Sequence, residues 1–205
     1  MGGTLGPLVQ GSFLSLRRRG LLSVIFALTF MIGAMVTFAI AAILFVGLVR
    51  PHVMVPSRVV ATAVGLALLS ALDLFAIRKN AYCRLSLRRQ TPKVLERRLG
   101  MLPTVAVWGF DLGTVVSTFR VTSASWGALI LVILGWSPPW TGLFYAAGFT
   151  LPLLFLMWTG RLPNKTPGLG SASIQALLDW RKSAQWTSAV LLAFGVILAV
   201  AGQFA

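Results

Sequence analysis

The chain has 205 residues and a net charge of +14, and its composition is 57% hydrophobic and only 11% charged. A soluble domain carries about 25% charged residues, so this composition predicts an all-α integral membrane protein that forms one transmembrane bundle, and it excludes a separate soluble domain. The basic residues lie in short segments beside apolar runs. That arrangement is typical of membrane topology and excludes a nucleic-acid-binding face.

Five apolar segments are long enough to insert as transmembrane helices. In chain order they are 21–49, 59–77, 103–136, 139–159 and 187–204. The sequence therefore predicts a first half, a basic cytoplasmic amphipathic loop, a second half, a cytoplasmic loop and a last span, at 21–77, 78–102, 103–159, 160–186 and 187–204.

The distribution of lysine and arginine predicts the orientation. The N-terminal tail and the loops 78–102 and 160–186 together carry 15 of these residues, and the two alternate connections carry 2. Because cytoplasmic connections are enriched in cations, we expect a multi-pass protein of the inner or plasma membrane. Its N-terminus would lie in the cytoplasm and its C-terminus outside.

The loop 78–102 alternates apolar residues with cations. This pattern predicts one or two short amphipathic helices lying on the anionic inner leaflet of the bilayer. The alternative is a solvated loop that simply follows the positive-inside rule. The cations predicted to face the membrane surface are Arg84, Arg88, Arg89, Arg97 and Arg98.

The third segment is too long for a simple crossing. Its 34 residues (103–136) would form a helix of about 51 Å, which exceeds the hydrocarbon thickness by about 20 Å. The run "STFRVTSASWG" within it is rich in hydroxyl and β-branched residues, which can partner backbone groups freed at a break. We therefore expect a bend, a break or a re-entrant fold between Ser117 and Gly127, which would raise the five helices to six membrane elements.

Arg120 lies near the middle of the third segment. Placing an arginine at the bilayer centre costs about 2.5–3.5 kcal/mol by insertion scales, so a partner or a polar cavity is expected. With the hydroxyls of Ser117, Thr118 and Thr122, its guanidinium predicts either a site that binds a small solute or ion, or a polar seam between helices.

Asp111 and Asp73 are the other ionisable residues predicted inside the membrane. On a continuous helix Asp111 and Arg120 would face opposite sides, so they would meet only at a break or across a dimer. Asp73 belongs either to the same midplane site or to an interfacial salt bridge with Arg78 or Lys79.

The chain contains an internal echo: "FMIGAMV" at 30–36 resembles "FDLGTVV" at 110–116, 80 residues later. Transporters are often built from duplicated halves with the site where the halves meet. With its long polar-interrupted segments and the stretch "GFDLGTVVSTFRVTSAS", the chain resembles the LysE/CcdA (DsbD-type) transporter superfamily over residues 20–160. The resemblance implies a transporter architecture. It does not imply thiol-electron transfer, since the stretches around Gly33 and Gly113 carry no membrane cysteine.

These patterns support two functional hypotheses. The first is a small permease-like transporter of a small solute or ion; the second is a non-catalytic accessory or assembly subunit of a larger membrane complex. We predict no enzyme, no cofactor and no metal site, because the chain has one histidine, one cysteine and four acidic residues. A bundle this small favours a homo-oligomer or other membrane subunits as partners, besides the bilayer with its anionic inner leaflet.

Overall fold

A computed structural model describes residues 16–81, 98–115, 122–159 and 171–201, and the regular structure within them is helical throughout. The six helices described are α1 (Leu16–Leu44), α2 (Val55–Arg78), α3 (Met101–Gly113), α4 (Ala124–Ile133), α5 (Thr141–Thr159) and α6 (Ser171–Ala201). Three stretches are long and apolar enough to cross a membrane: Gly20–His52, Val55–Arg78 and Arg181–Ala201. The all-helical fold class is thereby confirmed.

The helices form two compact units, and each unit takes helices from both sequence halves. The first unit contains α1 up to Thr37, with α3 and α5 from Gly142 onward; the second contains α2, α4 and α6. The compact units therefore do not coincide with the halves 21–77 and 103–159.

The first unit is built on one face of α1. Leu22, Phe26, Phe30 and Ala34 recur every four residues and are all buried, because residues four apart share a face of a helix. They pack against residues of α3 and α5, namely Val105 and Ala146, with Met101, Leu112, Tyr145 and Phe149 partly buried around them. The Phe30 ring stacks on Phe149 at a centroid distance of 4.8 Å.

Within this unit α1 and α3 approach closely at glycines. A Cβ on Gly113 would overlap the carbonyl of Phe30, and a Cβ on Gly33 would overlap the carbonyl of Phe110. Gly109 lies against Thr29, so both helices present small residues four positions apart. This small-xxx-small arrangement lets two membrane helices bring their backbones together.

These contacts obey the 80-residue shift of the internal echo. The shift carries Phe30 onto Phe110 and Gly33 onto Gly113, and it therefore exchanges the two glycine–carbonyl contacts with each other. Thr29 and Gly109 are themselves 80 residues apart, so the shift pairs them with each other. Their contact therefore lies near the centre of the arrangement. The two echoed stretches thus form an approximately two-fold pair of helices.

The third apolar segment is interrupted, as its length predicts. Helix α3 ends at Gly113, and Thr114 adopts an extended backbone with φ −68° and ψ 119°. Helix α4 begins only at Ala124. The interruption starts three residues before the predicted Ser117; residues 116–121 lie outside the described chain.

In the second unit α2 runs antiparallel to both α4 and α6. Its contacts with α4 descend in order, with Arg58 near Leu134 and Asp73 near Ser123. The apolar centre joins Leu66 and Leu69 of α2 to Leu192 of α6. A Cβ on Gly127 of α4 would press on the side chains of Leu66 and Leu192, so this glycine sets how closely the three helices pack.

Two helix boundaries differ from the sequence prediction. Helix α6 runs without a break from Ser171 to Ala201, whereas the predicted loop 160–186 ends and the span 187–204 begins in its middle. No proline or early glycine interrupts "SASIQALLDWRKSAQW", so the apolar span continues a helix that is already formed. Residues 45–49 form a π-helical turn after α1, and Arg50–His52 complete a last turn.

Candidate functional site

The second unit holds a carboxylate cluster, defined as Asp73, Ser123 and Ser188. The Asp73 side chain is 0% exposed. The Ser123 amide donates to both carboxylate oxygens at 3.0 Å. The Ser123 hydroxyl donates to Oδ1 at 2.9 Å, and the Ser188 hydroxyl donates to Oδ2 at 2.6 Å. A buried carboxyl group in an apolar bundle is thus surrounded by three neutral donors.

The cluster lies at the start of the half-helix α4. Ser123 is the N-cap residue of α4, and its own side chain makes no capping bond within that helix. The carboxylate of Asp73, on a different helix, instead accepts from the Ser123 amide. A negative group at the N-terminal end of a helix also opposes the positive pole of the helix dipole, so Asp73 stabilises the place where the interrupted segment resumes.

The other end of α4 carries a charge of opposite sign. Arg58, also on α2, donates through Nη1 to the carbonyl of Leu134, the C-cap residue, at 3.4 Å. Its guanidinium lies 5.5 Å from the ring centroid of Phe45 and 5.9 Å from that of Trp136. A cation at the C-terminal pole of a helix is favourable, and aromatic faces stabilise it further.

One helix therefore contacts both ends of another through two of its charged residues, Arg58 and Asp73. Arg58 and Asp73 are 15 positions apart on α2, which is about 22 Å along a helix and matches the length of α4 with its caps to within a turn or two. The Trp136 indole donates to Thr62 at 2.7 Å, which fixes the turn after α4 against the same helix. The half-helix is held at each pole by a charge that suits that pole.

Polar groups also join α2 to α6. The Ser70 hydroxyl donates to the carbonyl of Ala189 at 2.9 Å, one turn from Asp73. The Gln185 amide donates to the carbonyl of Ala81 at 3.0 Å, where α2 has ended. These bonds hold the two long helices in register around the Ser188–Asp73 contact.

Two polar atoms in the first turn of α4 lack a hydrogen-bond partner in the described chain. They are Oγ of Ser125 and Nε1 of Trp126, and both are buried. Buried polar atoms are nearly always paired, since leaving one unpaired costs about 1–3 kcal/mol. Two buried hydrogen-bonding atoms without a described partner therefore lie within one helical turn of the carboxylate cluster.

The structure describes only some of the predicted site residues. Asp73 is at the centre of the cluster, and Thr122 is half-buried next to Ser123. Asp111 is half-buried on α3 in the first unit. Arg98 is exposed. The remaining predicted residues lie outside the described chain: Arg120, Ser117, Thr118, Arg84, Arg88, Arg89 and Arg97.

The alternative salt bridge for Asp73 is not formed. Arg78 and Lys79 lie exposed at the end of α2, whereas Asp73 is fully buried and its described partners are serine groups. The physical reason is helical phase: Asp73 faces α4 and α6, and the cations at the helix end face away from the unit. Among the described residues, Asp73 therefore forms no ion pair with Arg78 or Lys79.

Sequence reasoning missed Arg58 and Ser188 and did not select Ser123. Arg58 was counted as a loop cation, but it lies in the first turn of α2. One signal was present in the sequence. The second apolar segment has an arginine near its start and an aspartate near its end. The apolar run that follows the break in the third segment is about as long as the distance between these two residues. No local period marks Ser188, which lies 115 positions from Asp73.

The comparisons with known proteins supply no further constraint. No protein-family model, curated protein or solved structure matches the chain. Among the described residues, no group of three or more histidine, cysteine, aspartate or glutamate side chains could hold a metal ion. The carboxylate cluster and the half-helix beside it are therefore the candidate functional features of the described chain.

Proposed function

We propose that the protein is a small permease-like transporter that moves a small solute or ion across the membrane. The observation that carries the proposal is the buried carboxylate of Asp73 at the N-terminus of the half-helix α4. Ionisable residues inside membrane bundles are rare, and they typically mark substrate or ion pathways. Transporters also place the termini of discontinuous helices at their binding sites.

The interruption before α4 supports the same proposal. In a bilayer, irregular backbone is tolerated only where protein or a water-filled cavity surrounds it. The segment between Gly113 and Ala124 contains the predicted residues Ser117, Thr118 and Arg120. In this proposal these residues belong to the transport site, as the sequence predicts, and the resemblance to the LysE/CcdA superfamily supplies the expected architecture.

The proposal includes five crossings with a cytoplasmic N-terminus and an external C-terminus. The basic loops then contact the anionic inner leaflet, and the turn "WSPPW" at 136–140 lies outside. A Ser137→Cys variant tests this orientation in intact cells with a membrane-impermeant thiol reagent. Labelling from outside is expected, and labelling only after lysis would reverse the orientation.

A second candidate is a non-catalytic accessory subunit of a membrane complex. The observation that favours it is that the chain itself supplies every described donor to Asp73, as a purely structural contact would. In that case the cluster only fixes helices for assembly with other membrane subunits. Copurification of stoichiometric partner proteins in mild detergent would support this candidate.

A transport assay that assumes no substrate separates the two candidates. Purified protein is reconstituted in liposomes and incubated with a small-molecule cell extract and a mixture of inorganic ions, and the vesicle contents are measured by mass spectrometry. We expect at least one solute or ion to accumulate above protein-free vesicles. The Asp73→Asn variant should lose that accumulation at least about tenfold, because its amide replaces one acceptor oxygen with a donor.

The matched control is Ser70→Ala, which removes a buried hydroxyl one turn away that does not contact the carboxylate. It should retain accumulation within about twofold if the effect is specific to the cluster. Failure of well-inserted wild-type protein to accumulate any solute or ion would overturn the transporter proposal and leave the accessory subunit.

A further inference from the structure

We infer that the carboxylate cluster is a proton-binding site and that the ion coupled to transport is a proton taken up by Asp73. This inference rests on the proposed function and adds to it the chemical class of the coupled ion. It follows from the number and direction of the hydrogen bonds around the carboxylate, and from the groups that are close to it.

The arrangement of donors does not suit a metal cation. Hard cations such as Na⁺ and Mg²⁺ require several oxygen ligands with lone pairs directed at the ion. Here the Ser123 amide directs its hydrogen at both carboxylate oxygens, and amides have no lone pair for a cation.

A proton fits the same geometry after one hydrogen bond reverses. In the ionised state Asp73 only accepts, and the Ser188 hydroxyl donates to Oδ2 at 2.6 Å. When a proton binds to Oδ2, the new O–H donates to Ser188 Oγ. The hydroxyl hydrogen of Ser188 turns to the carbonyl of Ala184, one helical turn earlier. The proton comes from hydronium of the aqueous phase: one O–H bond of hydronium breaks, one O–H bond forms on Asp73, and every polar group of the cluster keeps a partner.

The charged groups around the cluster leave Asp73 without a fixed counter-ion in the described chain. On α2 the nearest cations are Arg78 and Lys79, which are exposed, and Arg58, which lies about 22 Å away at the far end of α4. Residues 122–133, which include α4, contain no charged residue. On α6 the buried Arg181 shares the face of Ser188 but lies two turns earlier, about 10 Å along the helix, and Lys182 follows it. The groups in direct contact with the carboxylate are neutral in both states.

Protonation also changes how α4 is held. The ionised carboxylate opposes the positive pole of α4, and the neutral acid does not, while Arg58 continues to hold the other pole. The half-helix is then bound by charge at one end only. Binding of a proton at Asp73 thereby weakens the attachment of the N-terminal end of α4, while the bonds from Ser123 to Oδ1 remain.

Infrared difference spectroscopy of the full-length protein in lipid vesicles tests the proton site directly. Spectra at alkaline and acidic pH should differ by a carboxylic-acid carbonyl band that is absent in Asp73→Asn. In Ser188→Ala, which keeps the acid but removes its partner, the same band should move to higher frequency. Ser70→Ala should leave it in place. Helical circular dichroism and elution volume establish that each variant is folded.

An acid band that is identical in wild type and in folded Asp73→Asn would overturn the inference, as would a band that Ser188→Ala leaves unmoved. Uptake measured with and without an imposed pH gradient separates this inference from the proposed function. Solute uptake that does not change with the pH gradient would overturn the proton inference and leave the transporter proposal intact. A carbonyl band assigned to Asp73 in a protein that takes up no solute would overturn the transporter proposal and leave the proton site intact.

Discussion

The two compact units of this protein differ in their relation to the internal echo. In the first unit the echoed stretches pair with each other through glycines and backbone carbonyls, and the contacts obey the 80-residue shift. In the second unit the site uses charges that are not repeated. The positions 80 residues after Asp73 and Arg58 are Leu153 and Pro138.

This difference indicates which features of the molecule support the structure and which are candidates for function. The repeated contacts between α1 and α3 leave no room for a side chain at Gly33 or Gly113, so they determine the distance between the two helices. The unrepeated charges on α2 hold the two poles of a half-helix.

The largest effect is expected for a side chain at the glycine contact of the first unit. Gly113→Leu should lower the free energy of unfolding by about 3 kcal/mol, because its Cβ meets the backbone of Phe30, which cannot move aside. Equilibrium unfolding in mixed micelles measures the loss. Gly148→Leu is the control, since nothing lies within 4 Å of its added Cβ. Equal stability of the two variants would show that α1 and α3 are not in close contact.

A smaller loss is expected when the carboxylate of the second unit is deleted. Asp73→Ala leaves one amide and two hydroxyls without their acceptor, so it should cost about 2–3 kcal/mol in the same unfolding assay. Ser70→Ala removes one neutral hydrogen bond and should cost about 1 kcal/mol. If the two variants were equally stable, the cluster would contribute no more than an ordinary bond between α2 and α6.

The cation at the other pole of α4 should contribute less than the carboxylate. Arg58→Gln should cost about 1 kcal/mol, the sum of a weakened helix-pole interaction and lost stacking on Phe45 and Trp136. Arg58→Lys keeps the charge and should recover roughly half of that loss, because an ammonium lacks the planar face. Unfolding free energies of the three proteins in low salt give the comparison. A loss for lysine as large as for glutamine would assign the effect to stacking alone.

The smallest effect distinguishes two tryptophans at opposite ends of α4. Trp136→Phe removes the indole donor to Thr62 and should cost about 1 kcal/mol. Trp126→Phe removes an indole nitrogen that has no described hydrogen-bond partner, so stability should stay within about 0.5 kcal/mol or rise. The same unfolding assay measures both. A larger loss for Trp126→Phe would reveal that its nitrogen has a partner in the folded protein.

Part of the fold and part of the site were predictable from local sequence properties. Hydropathy and length predict membrane helices and the break in the third segment, because a helix of about 51 Å does not fit a bilayer core of about 30 Å. The predicted boundary at residue 186 marks a change in hydropathy and not the start of a helix, since α6 continues through it. Asp73 was selected as a site candidate simply because an acid inside an apolar run is costly.

The sequence by itself determined that this is a helical membrane protein, that its third apolar segment is broken, and that few ionisable residues lie among its apolar runs. Each of these depends on properties of neighbouring residues. Only the tertiary structure decided which groups meet Asp73, since Ser123 lies 50 positions away and Ser188 lies 115 positions away. It also decided that Arg58 and Asp73 act on the two ends of one half-helix, because the antiparallel packing of α2 and α4, which no local period encodes, sets that register.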